Sequence, residues 1–224
     1  MMRLLALTTL CVGFSGHFQA QATPDAAVSP PESEAPTIAE KPDEKAWSFS
    51  AAAYTYIVPE SRDYVQPTFA ADRGRWHLEA RYNYEALDSG SIWIGANFSA
   101  GDKLKFEFTP MVGGVFGDTR GIAPGYKASL NCGKWDLYTE GEYVFDSDGS
   151  FRNFFYTWSE LTLSPLDWFR FGLVVQHTKV THSEIEIQRG FLVAFAYKKV
   201  TFTTYCFDPD ASRPTVVLAL AIEF

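Results

Sequence analysis

From Trp47 to Phe224 large apolar side chains alternate with small or polar ones at period two, and no stretch repeats at the helical period. The alternation is cleanest at the end. Val216, Leu218, Leu220, Ile222 and Phe224 share one face, while the smaller or polar Thr215, Val217, Ala219, Ala221 and Glu223 share the other. Turn residues cut the pattern into twelve extended segments, approximately 46–58, 65–72, 75–85, 91–100, 103–116, 126–132, 134–146, 153–164, 167–180, 185–198, 200–207 and 215–224. One hairpin missed or invented would make the number ten.

The connections alternate in length. Tight ones follow the even segments: Arg73-Gly74, Gly101-Asp102, Gly133, Pro165-Leu166 and Lys198-Lys199. Longer, more polar ones follow the odd segments, at 59–64, 86–90, 117–125, 147–152, 181–184 and 208–214. This alternation predicts an all-β fold, a closed antiparallel up-and-down transmembrane β-barrel with an even strand number, short periplasmic turns and both termini on the periplasmic side. A propeller or sandwich needs no such alternation. Trp47, Trp76, Trp135 and Trp168 each lie within two residues of the start of an odd segment, so four indoles stand at one height, as an interfacial girdle requires. Trp168 alone is on the inward parity of its strand, which requires a local bulge.

Parity also assigns the interior. The third segment turns Trp76, Leu78, Ala80, Tyr82 and Tyr84 to lipid and Arg75, His77, Glu79, Arg81, Asn83 and Glu85 to the lumen. The fifth contributes Lys103, Lys105, Glu107 and Thr109; the sixth, Lys127, Ser129 and Asn131; the seventh, Asp136, Tyr138, Glu140 and Glu142. Arg170, Gln176 and Thr178 come from the ninth, Glu186 and Gln188 from the tenth. A charge on the lipid face at mid-depth costs about 2–4 kcal/mol, which sets the sense of the parity. Arg189 falls between the outward Ile187 and Phe191 and is expected to snorkel to the outer rim. The interleaved charges admit two readings: a narrow water-filled pore that selects small polar or charged solutes, or a lumen closed by its own salt bridges, with function in the outer loops.

The first 22 residues, with Arg3, an apolar run of about a dozen residues and Ala20-Gln21-Ala22, read as a cleaved secretory signal. Residues 23–46 hold five prolines among Ala, Ser and acids, and read as a disordered periplasmic linker; the barrel follows at 47–224. Aromatic residues at 16% beside charged residues at 21% suit a barrel with an aromatic belt outside and charge inside. A net charge of −8 without a basic patch excludes nucleic acid as a partner. Cys132 and Cys206 map to opposite rims, too far apart for a bridge.

Catalysis finds little support. The one local grouping of a hydroxyl with a base is His182-Ser183-Glu184 in a loop, where a solvated histidine is the simpler reading, so no catalytic residue is assigned and a hydrolase ranks last among the function classes. Three histidines remain beyond the signal (His77, His177, His182), without His-x-His or Cys-x-x-Cys spacing, so neither a metal nor a cofactor is expected.

The terminal strand, the alternating loops and the tryptophan girdle together resemble small bacterial outer-membrane β-barrels of a porin-like kind. The resemblance covers Trp47 to Phe224 and implies residence in the outer-membrane lipid bilayer. In such barrels the closing strand is the signal read by the insertion machinery, which here falls on Val216, Leu218, Leu220, Ile222 and Phe224. At twelve strands the chain is similar to small monomeric channels for acidic saccharides, which are expected to carry a basic track; this lumen is mixed in sign, and no binding residue is carried over.

Overall fold

A computed structural model describes residues 46–59, 61–147, 153–180 and 186–224. The expected signal segment 1–22, the linker up to residue 45 and His182-Ser183-Glu184 lie outside the described residues.

Among the described residues the chain forms twelve strands, and each pairs antiparallel with its sequence neighbour. They are β1 (Ser48–Ile57), β2 (Tyr64–Arg73), β3 (Trp76–Tyr82), β4 (Ser89–Ala96, resuming as Phe98–Ala100) and β5 (Leu104–Gly117). Then follow β6 (Gly121–Cys132), β7 (Trp135–Asp146), β8 (Phe154–Leu166), β9 (Phe169–Val180), β10 (Glu186–Tyr197), β11 (Val200–Phe207) and β12 (Thr215–Glu223). β12 pairs with β1 from Ser50↔Glu223 to Ile57↔Val216, so the sheet has no free edge. The ladder runs one step further, because the Phe49 and Phe224 amides each donate to the other's carbonyl, at 3.0 and 2.9 Å.

Side chains alternate as a barrel demands. Ile92, Ile94, Phe106, Val112, Phe171, Leu173, Phe191, Phe202, Leu220 and Ile222 are exposed on the outer face, where only hydrocarbon can cover them. The four girdle tryptophans are exposed at the short-turn end. Trp168 sits there because β8 continues through Pro165 to Leu166, leaving Asp167-Trp168 as the turn, and the β8–β9 register slips by one between Phe169 and Phe171. The expected bulge is present, and the indole stacks outward on Phe195 at 6.3 Å.

Three local departures correct the sequence reading. β3 ends at Tyr82, not Glu85, because Asn83 adopts φ 56°, a left-handed conformation that asparagine tolerates. The Asn83 side chain then fixes the connection, donating to the Val65 carbonyl (2.9 Å) and accepting from the Asp88 amide (2.8 Å). The turn ends the alternation, so Tyr84, expected at the lipid face, is partly buried inside against the lumen cluster, and Glu85 is buried as expected. β6 starts at Gly121, and the connection expected at 117–125 shrinks to Asp118–Arg120. Gly121 and Gly125 resemble turn residues in sequence, but here they permit close packing: a Cβ at Gly121 would stand 2.1 Å from the Phe145 carbonyl oxygen. Finally β4 breaks at Asn97, whose amide group donates to Asp72 and whose oxygen accepts from Thr109, both at 2.7 Å.

Gly113 carries a related constraint. The Trp93 indole is 1% exposed and lies directly over it, and a Cβ at Gly113 would come within 2.4 Å of the ring. Gly113→Ala is expected to destabilise the barrel by about 1–3 kcal/mol through overpacking. The control is Gly114→Ala, whose Cβ meets nothing within 4 Å. Urea unfolding in detergent, compared for the two variants, checks the difference.

Candidate functional site: the barrel lumen

Every inward position on β3 carries an ionisable side chain, because strand period two puts His77, Glu79 and Arg81 on one face. They form the centre of a network. Arg81 donates through Nε to Glu79 (2.5 Å) and through Nη1 to Glu142 (2.8 Å). Lys127 from β6 donates to the other Glu79 oxygen, and His77 bridges Glu79 (3.0 Å) to Asp72 (2.8 Å). β3 and β7 are not neighbours in the sheet, so the Arg81–Glu142 pair crosses the lumen. The residues are nearly sealed from solvent: Glu79 is 4%, Arg81 6% and Lys127 3% exposed. Arg81 is also held by two rings, with its guanidinium 4.2 Å from the Tyr84 centroid and 4.7 Å from that of Trp93.

A second group lies on the opposite wall. Glu160 of β8 accepts from the Trp158 indole (2.9 Å) and the Tyr205 hydroxyl (3.0 Å) and feels the charges of Arg170 and Asp136. Between the two groups stands Glu140, which accepts from the Tyr138 hydroxyl at 2.6 Å and from that of Tyr84. Burial and the neighbouring Glu140 carboxylate raise the Tyr84 phenol well above its usual value, so it remains a donor in this contact. Aromatic rings occupy much of the remaining interior, including Trp158 edge-on to Tyr205 and Phe207 at 5.2 and 5.4 Å. They leave a cavity of about 30 Å³ whose lining includes the rings of Tyr54, Tyr56, Tyr156 and Trp158 and the charged Glu79, Lys127 and Glu140.

Of the residues expected in the lumen, His77, Glu79, Arg81, Glu85, Lys127, Asp136, Glu142 and Arg170 are buried. Lys105, Glu107, Glu140, Gln176 and Gln188 are half-buried, with Lys105 paired to Glu107 at 2.6 Å. Arg75 and Lys103 belong instead to exposed short turns, Arg75 lying over the Phe98 ring at 5.7 Å, and Asn83 serves the β3–β4 connection. Arg189 is exposed at the long-connection rim, with its guanidinium 3.9 Å from Asp210. On β12, Leu220, Ile222 and Phe224 are exposed and Val216 and Leu218 partly so, opposite the buried Val217, Ala219 and Ala221. Cys132 and Cys206 are free. Among the described residues no group of three His, Cys, Asp or Glu side chains is arranged to hold a metal.

The sequence reading assigned no interior on β1, β4, β8 or β11, and so missed Tyr54, Tyr56, Trp93, Tyr156, Trp158, Glu160, Tyr205 and Phe207. The signal was present on β8, where Glu160 shares its parity with Phe154, Tyr156 and Trp158. A single charge fixes the inward face, and the rings must then follow it.

No family model matches the chain, and no curated protein matches it. Among solved structures it is similar to the KdgM porin in complex with disordered oligogalacturonate, with a TM-score of 0.54 at 10% identity over 79% of this chain and 98% of that one. The KdgM porin alone gives 0.53 at 10% identity, over 78% and 98%. The outer membrane protein Omp33 of Acinetobacter baumannii gives 0.44 at 11% identity, over 80% and 97%. At these identities the likeness to the KdgM porin is one of fold, a closed antiparallel β-barrel, here of twelve strands.

Proposed function

We propose that the protein is a narrow passive channel of the bacterial outer membrane for small polar or charged solutes, without catalytic activity, inserted with both termini on the periplasmic side. The observation that carries this reading is the opposition of the two faces: an apolar outer belt encloses an inner face with ionisable groups around a cavity lined by both rings and charges. That a protein of similar fold bears the name porin supports the same reading. Selectivity would be set where the charges converge, at Glu79, Arg81, Lys127, Glu140 and Glu142, and the outer face would meet lipid.

A second reading has a specific observation in its favour. The Arg81–Glu142 pair crosses the lumen under near-complete burial, as in a barrel that is closed and acts through its loops. Planar-bilayer recording separates the two. The channel reading expects small discrete conductance steps from the wild type, and an increase of about twofold or more in Arg81→Ser, which removes a bulky side chain that spans the lumen to Glu142. Steps in Arg81→Ser but none in the wild type would favour the closed barrel. Silence from both at every voltage would end the channel reading.

A further inference from the structure

The central cavity combines two features that the ion-pair network does not use. Glu140 accepts two phenolic hydrogen bonds, yet among the described residues no cation stands within ion-pair distance of it. The nearest cations are engaged elsewhere. Arg81 and Lys127 are both committed to Glu79, and Arg81 also to Glu142, so neither pairs with Glu140. Glu85 is 5% exposed with neither carboxylate oxygen hydrogen-bonded, and Glu142 Oε1 is likewise unpartnered. Water in the lumen can hydrate such groups but does not supply a counter-charge to Glu140.

The other feature is the wall. Tyr54, Tyr56, Tyr156 and Trp158 border the cavity that Glu140 also borders. Aromatic rings beside a carboxylate with no ion-pair partner among the described residues match the chemistry of an ammonium group with an apolar surface, which gains from ring quadrupoles as well as from the charge. A bare metal ion would prefer oxygen ligands in greater number. An anion would meet the like charge of Glu140.

We propose that this cavity binds the compact ammonium head group of an organic cation, with Glu140 as counter-charge and Tyr54, Tyr56, Tyr156 and Trp158 as the enclosing rings. If the channel reading holds, the site names the solute class that the channel prefers; the binding itself does not depend on permeation.

Isothermal titration calorimetry of the refolded barrel in detergent, with tetramethylammonium chloride as the probe, tests the site. Tert-butyl alcohol serves as an uncharged molecule of similar shape. Saturable binding of tetramethylammonium is expected, with no detectable heat from the alcohol. Glu140→Gln removes the charge and keeps an acceptor for one of the two phenols, the other turning its own oxygen to accept from the new amide, and should weaken affinity by about tenfold or more. Tyr54→Leu should weaken it while Tyr54→Phe, which keeps the ring, should not. This pair decides the matter if Glu140→Gln fails to fold, as judged by heat-modifiable gel migration. Binding of the alcohol as tight as that of the cation, or unchanged affinity in Glu140→Gln and Tyr54→Leu, would overturn the proposal. Reversal potentials in bilayers read the channel separately. Tetramethylammonium binding without any conductance would sink the channel reading and leave the site standing.

Discussion

Replacing Glu79 by leucine is expected to destabilise the barrel by about 3–5 kcal/mol, the largest single-residue effect in the lumen. The carboxylate receives the Arg81 Nε, the Lys127 ammonium and a His77 nitrogen, and all four side chains are buried. Arg81 would retain Glu142, whereas Lys127 would lose its carboxylate partner. The cost is thus the stranded Lys127 charge more than the pair that is lost. The double variant Glu79→Leu with Lys127→Met should therefore recover part of the loss, since no buried ammonium then remains unpaired. Urea unfolding in lipid vesicles, followed by tryptophan emission, measures both. A loss below about 1 kcal/mol in Glu79→Leu would mean that water screens these charges as it does at a surface, and would argue for a wetter lumen than the packing implies.

Phe224→Ala is expected to act on assembly far more than on the finished barrel. The outward ring is 55% exposed and stacks on Phe49 at 6.0 Å. Its backbone ladder to Phe49 does not depend on the side chain. Truncation therefore costs the folded protein at most about 2–3 kcal/mol of apolar contact. Before closure, β12 is an unpaired edge presenting the terminal pattern Val216, Leu218, Leu220, Ile222 and Phe224 to whatever inserts the barrel. The variant should show several-fold less protein in the outer membrane and more periplasmic degradation. The molecules that do insert should conduct as the wild type does. Wild-type levels in quantitative immunoblots of membrane fractions would refute the assembly role.

How far residues reveal their place depends on whether a local rule governs them. The outward sides of β3, β5 and β12 were legible because a period of two and the cost of a charge in hydrocarbon leave one orientation for Leu78, Phe106 or Leu220. His77, Glu79 and Arg81 were found for the same reason. Tyr84 was placed on the wrong face because one left-handed residue, Asn83, ends the alternation, and asparagine does not announce which conformation it adopts. Gly121 and Gly125 misled in the opposite sense, since glycine serves close strand approach as readily as a turn.

The sequence alone therefore determined the twelve-stranded antiparallel barrel, the pairing of its last strand with its first and most of its charged interior, because each follows from a pattern repeated along a strand or from strand edges that must all be paired. Only the tertiary structure decided which charges meet. Arg81 and Glu142 are 61 residues apart, and parity shows that both point inward but not that barrel curvature and strand stagger bring them to 2.8 Å across the lumen. The same holds for the cavity beside Glu140. Its rings come from β1 and β8 and its carboxylate from β7, and no spacing along one chain encodes the height at which staggered strands align.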